Sequence, residues 1–160
     1  MKKMLLSEIA KAVSGTLKGE DREIFSVSTD TRTIEKDSLF VCIKGENFNA
    51  HLFAEKAAEN GAVCVMAEEE VECSCSVIYV SSTRQAQLDL ARHYREKFSI
   101  PVVGITGSVG KTTTKEMISC VMSEKYETLK TEGNFNNDIG VPRMIFRLDE
   151  NYTGAVLEMG

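Results

Sequence analysis

Hydrophobic and polar residues follow two different periods in the first half of the chain. Apolar residues recur at helical spacing over residues 5–13 and 51–60, and these segments are followed by Gly15 and Gly61. Four other segments are rich in β-branched and aliphatic residues and are typical of strands: 24–29, 39–43, 63–67 and 77–80. This alternation predicts a small α/β domain over residues 1–82.

The second half combines longer helical patterns with a buried strand. Helices are predicted over residues 82–98, 112–125 and 139–146, and strands over 102–106, near Thr128 and over 155–157. In the helix 112–125 we expect four residues to face the core: Met117, Ile118, Val121 and Met122. The element order predicts a parallel, Rossmann-like sheet over residues 83–160. Because a parallel sheet is covered on both faces, we expect these residues to be only the start of a larger domain.

Composition narrows the class of protein. With 42% hydrophobic and 27% charged residues, the chain is expected to be globular. A net charge of −5 and a pI near 5.2 disfavour nucleic acid as a partner. No apolar run approaches the roughly 20 residues of a membrane-spanning helix, and Glu8 and Lys11 interrupt any signal-peptide core. We expect a cytoplasmic monomer without membrane insertion.

The five cysteines do not form a metal-binding or disulfide pattern. Cys42, Cys64 and Cys120 lie in apolar segments, where a free thiol packs as a small hydrophobic group. Cys73 and Cys75 are separated by one residue, which is not the spacing of zinc or redox pairs. A reducing compartment is expected.

A glycine-rich run carries the strongest chemical signal. It follows the predicted strand 102–106 and continues into the predicted helix 112–125, and it consists of Gly107, Ser108, Val109, Gly110, Lys111, Thr112 and Thr113. The glycines allow backbone amides to point at phosphate oxygens, and the helix adds its positive dipole end. Lys111 can reach the β and γ phosphates, and the Thr112 hydroxyl can bind Mg²⁺. Ile105 stands where the usual pattern has a glycine. The alternative is a glycine-rich turn with a chance lysine, but the flanking elements favour a phosphate-binding P-loop.

An acidic residue closes the last predicted strand. Glu158 follows the apolar run 155–157 and could hold Mg²⁺ near the phosphates. The alternative is a solvated surface charge. P-loops serve many enzyme classes, so this pattern alone does not select a reaction.

Several segments resemble the Mur ligase family. Residues 107–116 match its nucleotide-binding loop and account for the missing glycine, residues 131–142 match its asparagine-rich segment, and residues 157–160 resemble its magnesium-binding strand end. Upstream, residues 30–32, 39–41, 45 and 51–53 resemble its UDP-sugar-binding domain. Two positions depart from the family pattern: Asn49 with Ala50 precedes His51 where aspartate and glycine are usual, and Lys36 replaces a glycine.

The resemblance implies an ATP-dependent amide ligase of peptidoglycan precursor synthesis. Residues 1–82 would bind the UDP-sugar, and residues 83–160 would begin a central ATP-binding domain of a three-domain enzyme. Residues 1–160 alone would be inactive. Within the family, the asparagine-rich segment favours ligases that join D-alanyl-D-alanine to UDP-N-acetylmuramoyl-tripeptide through an acyl phosphate. ATP and Mg²⁺ are the implied cofactors, with Lys111 and Glu158 as catalytic residues and Thr112 and Glu158 as metal ligands.

Six residues are expected to contact substrate: Thr31, Arg32, Asn47, Asn134, Asn136 and Asn137. A guanidinium such as that of Arg32 suits a diphosphate, although a single arginine is more often solvated. Asn47 could pair with the uracil edge. The later asparagines could orient phosphate or substrate, or instead cap the helix that begins near Ile139. His51 is expected to be a surface residue at a helix start.

Three other functions stay open at this point. A sister ligase would add a different amino acid to a shorter precursor, and a folylpolyglutamate synthetase would share the P-loop. A non-catalytic nucleotide-binding module is the third, although no guanine-specifying N-K-x-D motif follows the P-loop within the chain.

Overall fold

The computed structural model describes residues 1–160 and divides them into two compact units, each of mixed α/β structure. The first unit comprises Met1 and Lys3–Leu90, and the second comprises Lys2 and Ala91–Gly160. The division falls within a helix, whereas the predicted domain boundary precedes that helix and stays a prediction. None of the helices is both long enough and apolar enough to span a bilayer.

A five-stranded sheet organises the first unit, with strand order β2-β7-β6-β5-β4. Strands β4 to β7 are parallel, β2 joins antiparallel at one edge, and β1 and β3 form a separate antiparallel pair. The elements are β1 (Met4–Leu5), α1 (Leu6–Ala12), β2 (Thr16–Lys18), β3 (Glu23–Ile24), β4 (Ser26–Ser28), β5 (Ser38–Val41), α2 (Ala54–Glu59), β6 (Ala62–Ala67), β7 (Ser76–Tyr79) and α3 (Thr83–Arg95).

Helix α2 covers one face of this sheet. Its Ala54 and Ala57 are buried against Phe40 and Val65 of the central strands. Small side chains on the helix allow its close approach to the sheet. Because β4, β5, β6 and β7 are parallel, the loops that follow them lie along one edge, where ligands of open α/β sheets usually bind.

Two predicted elements of this unit differ from the structure. The predicted strand 24–29 is two strands, β3 and β4. The chain stops pairing with β1 at Phe25, whose amide donates to Asp37 O at 2.9 Å, and the following residues pair with β5. The predicted helix 51–60 begins as the 3-10 turn Ala50–Phe53, and α2 follows it. The Asn49 side chain accepts from the His51 amide at the start of this turn.

A three-stranded parallel sheet with the order β8-β10-β9 forms the second unit. Its elements are β8 (Val102–Ile105), α4 (Lys111–Ser123), β9 (Thr128–Lys130), α5 (Gly140–Ile145) and β10 (Gly154–Glu158). The C-terminal turn of α3 adds Tyr94 to this core, where its ring contacts those of Phe98 and Phe146. The Tyr94 hydroxyl donates to Leu148 O at 2.6 Å.

The inner face of α4 is only partly the one predicted: Ile118 and Met122 are half-buried, as expected, but the other two apolar residues are not. Met117 and Val121 are 66% and 73% exposed, whereas Lys115 and Ser119 are buried. The helix takes this orientation with the Lys115 ammonium donating to Thr131 O, after β9, at 2.9 Å. Sequence periodicity alone cannot show this, because it assigns a lysine to solvent.

The cysteines also depart in part from expectation. Cys42 and Cys64 are buried as predicted, but Cys120 is exposed on α4. All five are free thiols, and the Cys73 and Cys75 sulfur atoms lie 3.9 Å apart.

Candidate functional site

The glycine-rich run forms the turn between β8 and α4. Gly107 and Gly110 have φ values of 147° and 75°, in the region that favours glycine. A Cβ atom at Gly110 would meet nothing within 4 Å, so conformation rather than space requires this glycine. Gly110 is the N-cap of α4, and the first-turn amides of that helix are available to an anion.

A cavity of about 310 Å³ lies over this turn. Residues 108–113 line it together with Asn136 and Glu158. The P-loop follows β8, Asn136 comes after β9, and Glu158 is the last residue of β10, so the carboxyl ends of all three parallel strands converge here. The Lys111 ammonium donates to Gly107 O at 2.8 Å and thus lies across the loop.

Glu158 is buried in this cavity and holds its carboxylate with two side chains. One oxygen accepts from the Thr112 hydroxyl at 3.1 Å, and the other accepts from the Asn136 amide at 3.0 Å. The hydrogen bond from Asn136 lowers the pKa of Glu158; burial opposes this, and Thr112 and the charges of Lys115 and Lys111 reinforce it. The carboxylate is therefore ionised at neutral pH.

The arrangement fits Mg²⁺ bound with a nucleotide. Thr112 and Glu158 offer the oxygen ligands that Mg²⁺ prefers, and such sites use one or two carboxylates together with phosphates and water. The structure contains no group of three or more His, Cys, Asp or Glu residues able to hold a metal by themselves. A metal at Thr112 and Glu158 would therefore take its remaining ligands from phosphate and solvent.

The three later asparagines have different positions. Asn136 contacts Glu158, as described above. Asn137 Oδ1 accepts from the amides of Ile139 and Gly140 at 3.2 and 2.7 Å, which caps the start of α5. Asn134 is exposed and contacts Asn136 through its backbone oxygen.

The predicted UDP-sugar residues lie on two neighbouring loops of the first unit. Thr31 and Arg32 follow β4, and the exposed Asn47 follows β5, so both loops lie at the carboxyl edge. The Arg32 guanidinium is 87% exposed and pairs with Asp30 at 2.7 Å. Thr31 O accepts from the Asn60 side chain at 2.8 Å, which ties the first loop to the end of α2.

His51 is not the surface residue expected from the sequence. Its side chain is 2% exposed and bonds Asn49 and the backbone amide of Glu68. Lys115 and Thr131 were not among the predicted site residues, yet Thr131 accepts from the Glu158 amide at 2.9 Å and from Lys115. The available signals were that both residues lie within the segments 107–116 and 131–142 that resemble the family, and that Lys115 is one helical turn after Thr112.

Sequence profiles of known families match nearly the whole chain. The profile described as Mur ligase family, catalytic domain, matches residues 23–106, and that of the Mur ligase middle domain matches residues 105–160. The chain belongs to the Mur ligase family. The P-loop turn, Asn136 and Glu158 all lie within the middle-domain match of this Mur ligase.

Two curated relatives carry the same name. The UDP-N-acetylmuramoyl-tripeptide–D-alanyl-D-alanine ligase of Bacillus subtilis is 43% identical over 100% of this Mur ligase chain and 36% of its own length. The ligase of the same name from Escherichia coli is 41% identical over 97% of this chain and 34% of its own length. The chain thus spans about a third of the length of these relatives.

Solved structures agree with the fold of this Mur ligase. MurF from Acinetobacter baumannii superposes with a TM-score of 0.93 at 34% identity, over 100% of this chain and 36% of that one. MurF from Thermotoga maritima, solved in complex with ADP, gives 0.76 at 35% identity over 84% of this chain and 31% of that one. The mixed α/β fold with parallel sheets is therefore confirmed.

Proposed function

We propose that this chain supplies the UDP-sugar-binding domain and the start of the ATP-binding domain of a cytoplasmic ligase. The ligase would join D-alanyl-D-alanine to UDP-N-acetylmuramoyl-tripeptide in peptidoglycan precursor synthesis. The observation that carries the nucleotide part is the buried Glu158 carboxylate 3.1 Å from the P-loop hydroxyl of Thr112. The substrate part is supported by the names of relatives that are 41% and 43% identical over nearly the whole chain.

ATP would bind over the turn between β8 and α4. The loop amides and the N-terminus of α4 would contact phosphate oxygens, and the Lys111 ammonium would leave Gly107 O for the β and γ phosphates. Thr112 and Glu158 would hold Mg²⁺, which when bound supplies positive charge to the transferred phosphoryl group. Asn136 would keep the Glu158 carboxylate oriented.

The reaction would proceed in two substitutions. The terminal carboxylate of the UDP-linked tripeptide would attack the γ-phosphate of ATP, which gives an acyl phosphate and ADP. The amine of D-alanyl-D-alanine would then displace phosphate and form the amide. Loops 28–32 and 45–51 would bind the UDP portion, with Arg32 near the diphosphate and Thr31 and Asn47 as polar contacts. Because the chain spans about a third of its relatives' length, we expect residues 1–160 alone not to catalyse ligation.

Other activities have weaker support. The structure of a UDP-N-acetylmuramoyl-L-alanyl-D-glutamate–2,6-diaminopimelate ligase superposes with a TM-score of 0.60 at 18% identity, which concerns the fold alone. A folylpolyglutamate synthetase and a non-catalytic nucleotide-binding module would both use the same P-loop. Ligation assays with the amino acid substrate of each type of ligase distinguish these alternatives.

The test uses Lys111→Ala in a ligase of the relatives' full length that contains this chain. We expect ADP release with UDP-N-acetylmuramoyl-tripeptide and D-alanyl-D-alanine to be lost, because the lysine neutralises phosphate charge, while the melting temperature stays close to that of the parent. Lys125→Ala is the matched control, since Lys125 follows the far end of α4 and lies over the Tyr126 ring. Near-parental turnover of Lys111→Ala would contradict the proposal.

A further inference from the structure

A buried histidine joins two of the loops at the carboxyl edge of the five-stranded sheet. His51 lies in the turn after β5, and its side chain is 2% exposed. Its Nδ1 atom lies 2.7 Å from Asn49 Oδ1. Its Nε2 atom lies 3.1 Å from the backbone nitrogen of Glu68, directly after β6. One imidazole therefore contacts both loops.

The neighbours of His51 determine which nitrogen carries the proton. Asn49 donates through Nδ2 to Glu69 at 2.7 Å, so its oxygen faces His51 and accepts from the His51 amide at 3.0 Å. The Nδ1 atom must then donate to that oxygen. The Glu68 amide can only donate, so the Nε2 atom must accept. The contacts are satisfied by the neutral imidazole that is protonated at Nδ1.

Glu68 extends the connection to a third segment. Its side chain accepts from the backbone amide and the hydroxyl of Thr83 at 2.8 and 3.1 Å. Thr83 is fully buried and begins α3, shortly after β7. His51 and Glu68 thus connect segments that follow three adjacent parallel strands, β5, β6 and β7.

We propose that His51, as a neutral imidazole, is a positioning residue. It holds the loop 44–51 against the Glu68–Glu70 turn, which follows β6, in the geometry that binds the UDP-linked substrate. The inference rests on the proposed function, because loop 45–51 is assigned there to the UDP portion. Asn47 belongs to this loop and is exposed, whereas Asn49 and His51 fix its end from inside.

Protonation of His51 would disrupt this contact. A second N–H at Nε2 would face the Glu68 amide, donor against donor, and the loops would separate. The charged groups around the ring are Glu69, Glu68 and Lys44, and Lys44 itself pairs with Glu69 at 3.0 Å. Burial lowers the pKa of His51, although the two carboxylates oppose this. The contact is thus intact at neutral pH and is lost as pH falls through the lowered pKa.

The same shift affects folding stability. In the unfolded chain His51 binds a proton below about pH 6.5, whereas the folded chain resists protonation until the pH is lower. The unfolded state therefore binds more protons in that interval, so stability is complete above about pH 6.5 and decreases as pH falls towards the folded-state pKa.

The first experiment needs no ligand and uses residues 1–160 labelled with ¹⁵N. At neutral pH we expect the His51 ring to show a protonated Nδ1 and an unprotonated Nε2. In His51→Leu the Glu68 amide should exchange its hydrogen about tenfold faster, because its acceptor is gone. In His51→Gln the side-chain oxygen replaces Nε2, and exchange should stay slow. A ring protonated at Nε2, or unchanged exchange in His51→Leu, would overturn the inference.

Asn49→Asp keeps the test decisive if His51→Leu does not fold. A carboxylate in place of the amide, 2.7 Å from Nδ1, should raise the pKa of His51 and move the pH-dependent change in the Glu68 amide to higher pH. His93→Gln removes the other histidine and should leave that change in place. An unmoved His51 pKa in Asn49→Asp would count against the arrangement described.

The second experiment measures binding of UDP-N-acetylmuramoyl-tripeptide to the same chains. We expect about tenfold weaker binding for His51→Leu at neutral pH and affinity close to the parent for His51→Gln. Between about pH 7.5 and pH 5 the parent should lose affinity while His51→Gln does not. No binding by the parent chain would contradict the proposed function and, with it, this inference. Equal affinity of the parent and His51→Leu would contradict this inference alone.

Discussion

The Thr112 hydroxyl lies 3.1 Å from a carboxylate oxygen of Glu158, although 46 positions separate the two residues in the chain. Thr112 is in the first turn of α4, and Glu158 ends β10, the middle strand of the sheet. The sheet order brings the end of β10 beside the loop that follows β8. Two oxygen atoms of the kind that Mg²⁺ prefers are thereby placed together.

Replacing the carboxylate tests this pair directly. In Glu158→Gln we expect the affinity for ATP in the presence of Mg²⁺ to fall by roughly tenfold or more, because the amide has the same shape but no negative charge. Affinity without Mg²⁺ should change much less. Calorimetric titration of ATP with and without Mg²⁺ measures both values. Thr112→Ser retains the hydroxyl and should behave like the parent. If ATP affinity in Glu158→Gln depends on Mg²⁺ as it does in the parent, Glu158 is not a ligand of the metal.

The UDP-sugar contacts are tested by amide chemical shifts. On addition of UDP-N-acetylmuramoyl-tripeptide we expect shifts clustered at residues 28–32 and 45–51, and weaker binding in Arg32→Ala, because a guanidinium pairs well with a diphosphate. Arg22→Ala is the matched control, since Arg22 also pairs with an aspartate, Asp37, at 3.3 Å. Shifts confined to the Glu68–Glu70 turn, or none at millimolar ligand, would exclude this site.

Thiol labelling should distinguish the cysteines by burial. Cys120 is exposed and should react first with an aromatic disulfide reagent, whereas Cys42 and Cys64 should react only on unfolding. Burial raises the pKa of Cys42 to about 12 and that of Cys64 still further, so neither forms the reactive thiolate. The number of fast-reacting thiols is counted by absorbance. If Cys120→Ser leaves the fastest phase unchanged, the exposure assigned to Cys120 is wrong.

Tyr94 provides a test of the second unit's core. Its hydroxyl accepts from the Lys2 amide at 2.7 Å and donates to Leu148 O, and burial raises its pKa to about 12. Tyr94→Phe leaves both backbone groups without this partner, so we expect a loss of about 1–3 kcal/mol in the free energy of unfolding. Urea titration measures it, with Tyr126→Phe as control. A loss no larger than that of the control would show that the hydroxyl does not stabilise the core.

Much of the fold could be predicted because the sequence follows local rules. The P-loop is one example: a strand, a glycine-containing turn and the start of a helix follow one another directly in the chain. Their arrangement could therefore be predicted from neighbouring residues. Glu158 could be proposed because an acidic residue after an apolar strand lies at the edge where such sites form. Its partner Asn136 was among several asparagines, and no pattern separated it from Asn137.

The missed features depend on contacts between distant residues. His51 was expected at the surface because a single histidine fits no hydrophobic pattern. It is nevertheless buried, and it contacts Asn49 and Glu68, which come from different loops. Met117 and Val121 looked like core residues because they are apolar at helical spacing. Lys115 lies on the inner side of α4 instead and contacts Thr131 O, and a partner 16 positions away cannot be inferred from the helix sequence itself.

The middle strand of the three-stranded sheet is also the last of the three in chain order. β8 and β9 do not pair with each other, and each pairs with β10. During synthesis on the ribosome, the P-loop therefore emerges well before the strand that completes either pairing. Because Glu158 belongs to β10, the growing chain gains its sheet and the carboxylate proposed for Mg²⁺ in the same step. A nascent chain that stops before β10 would have the phosphate-binding loop without the sheet partner that fixes it.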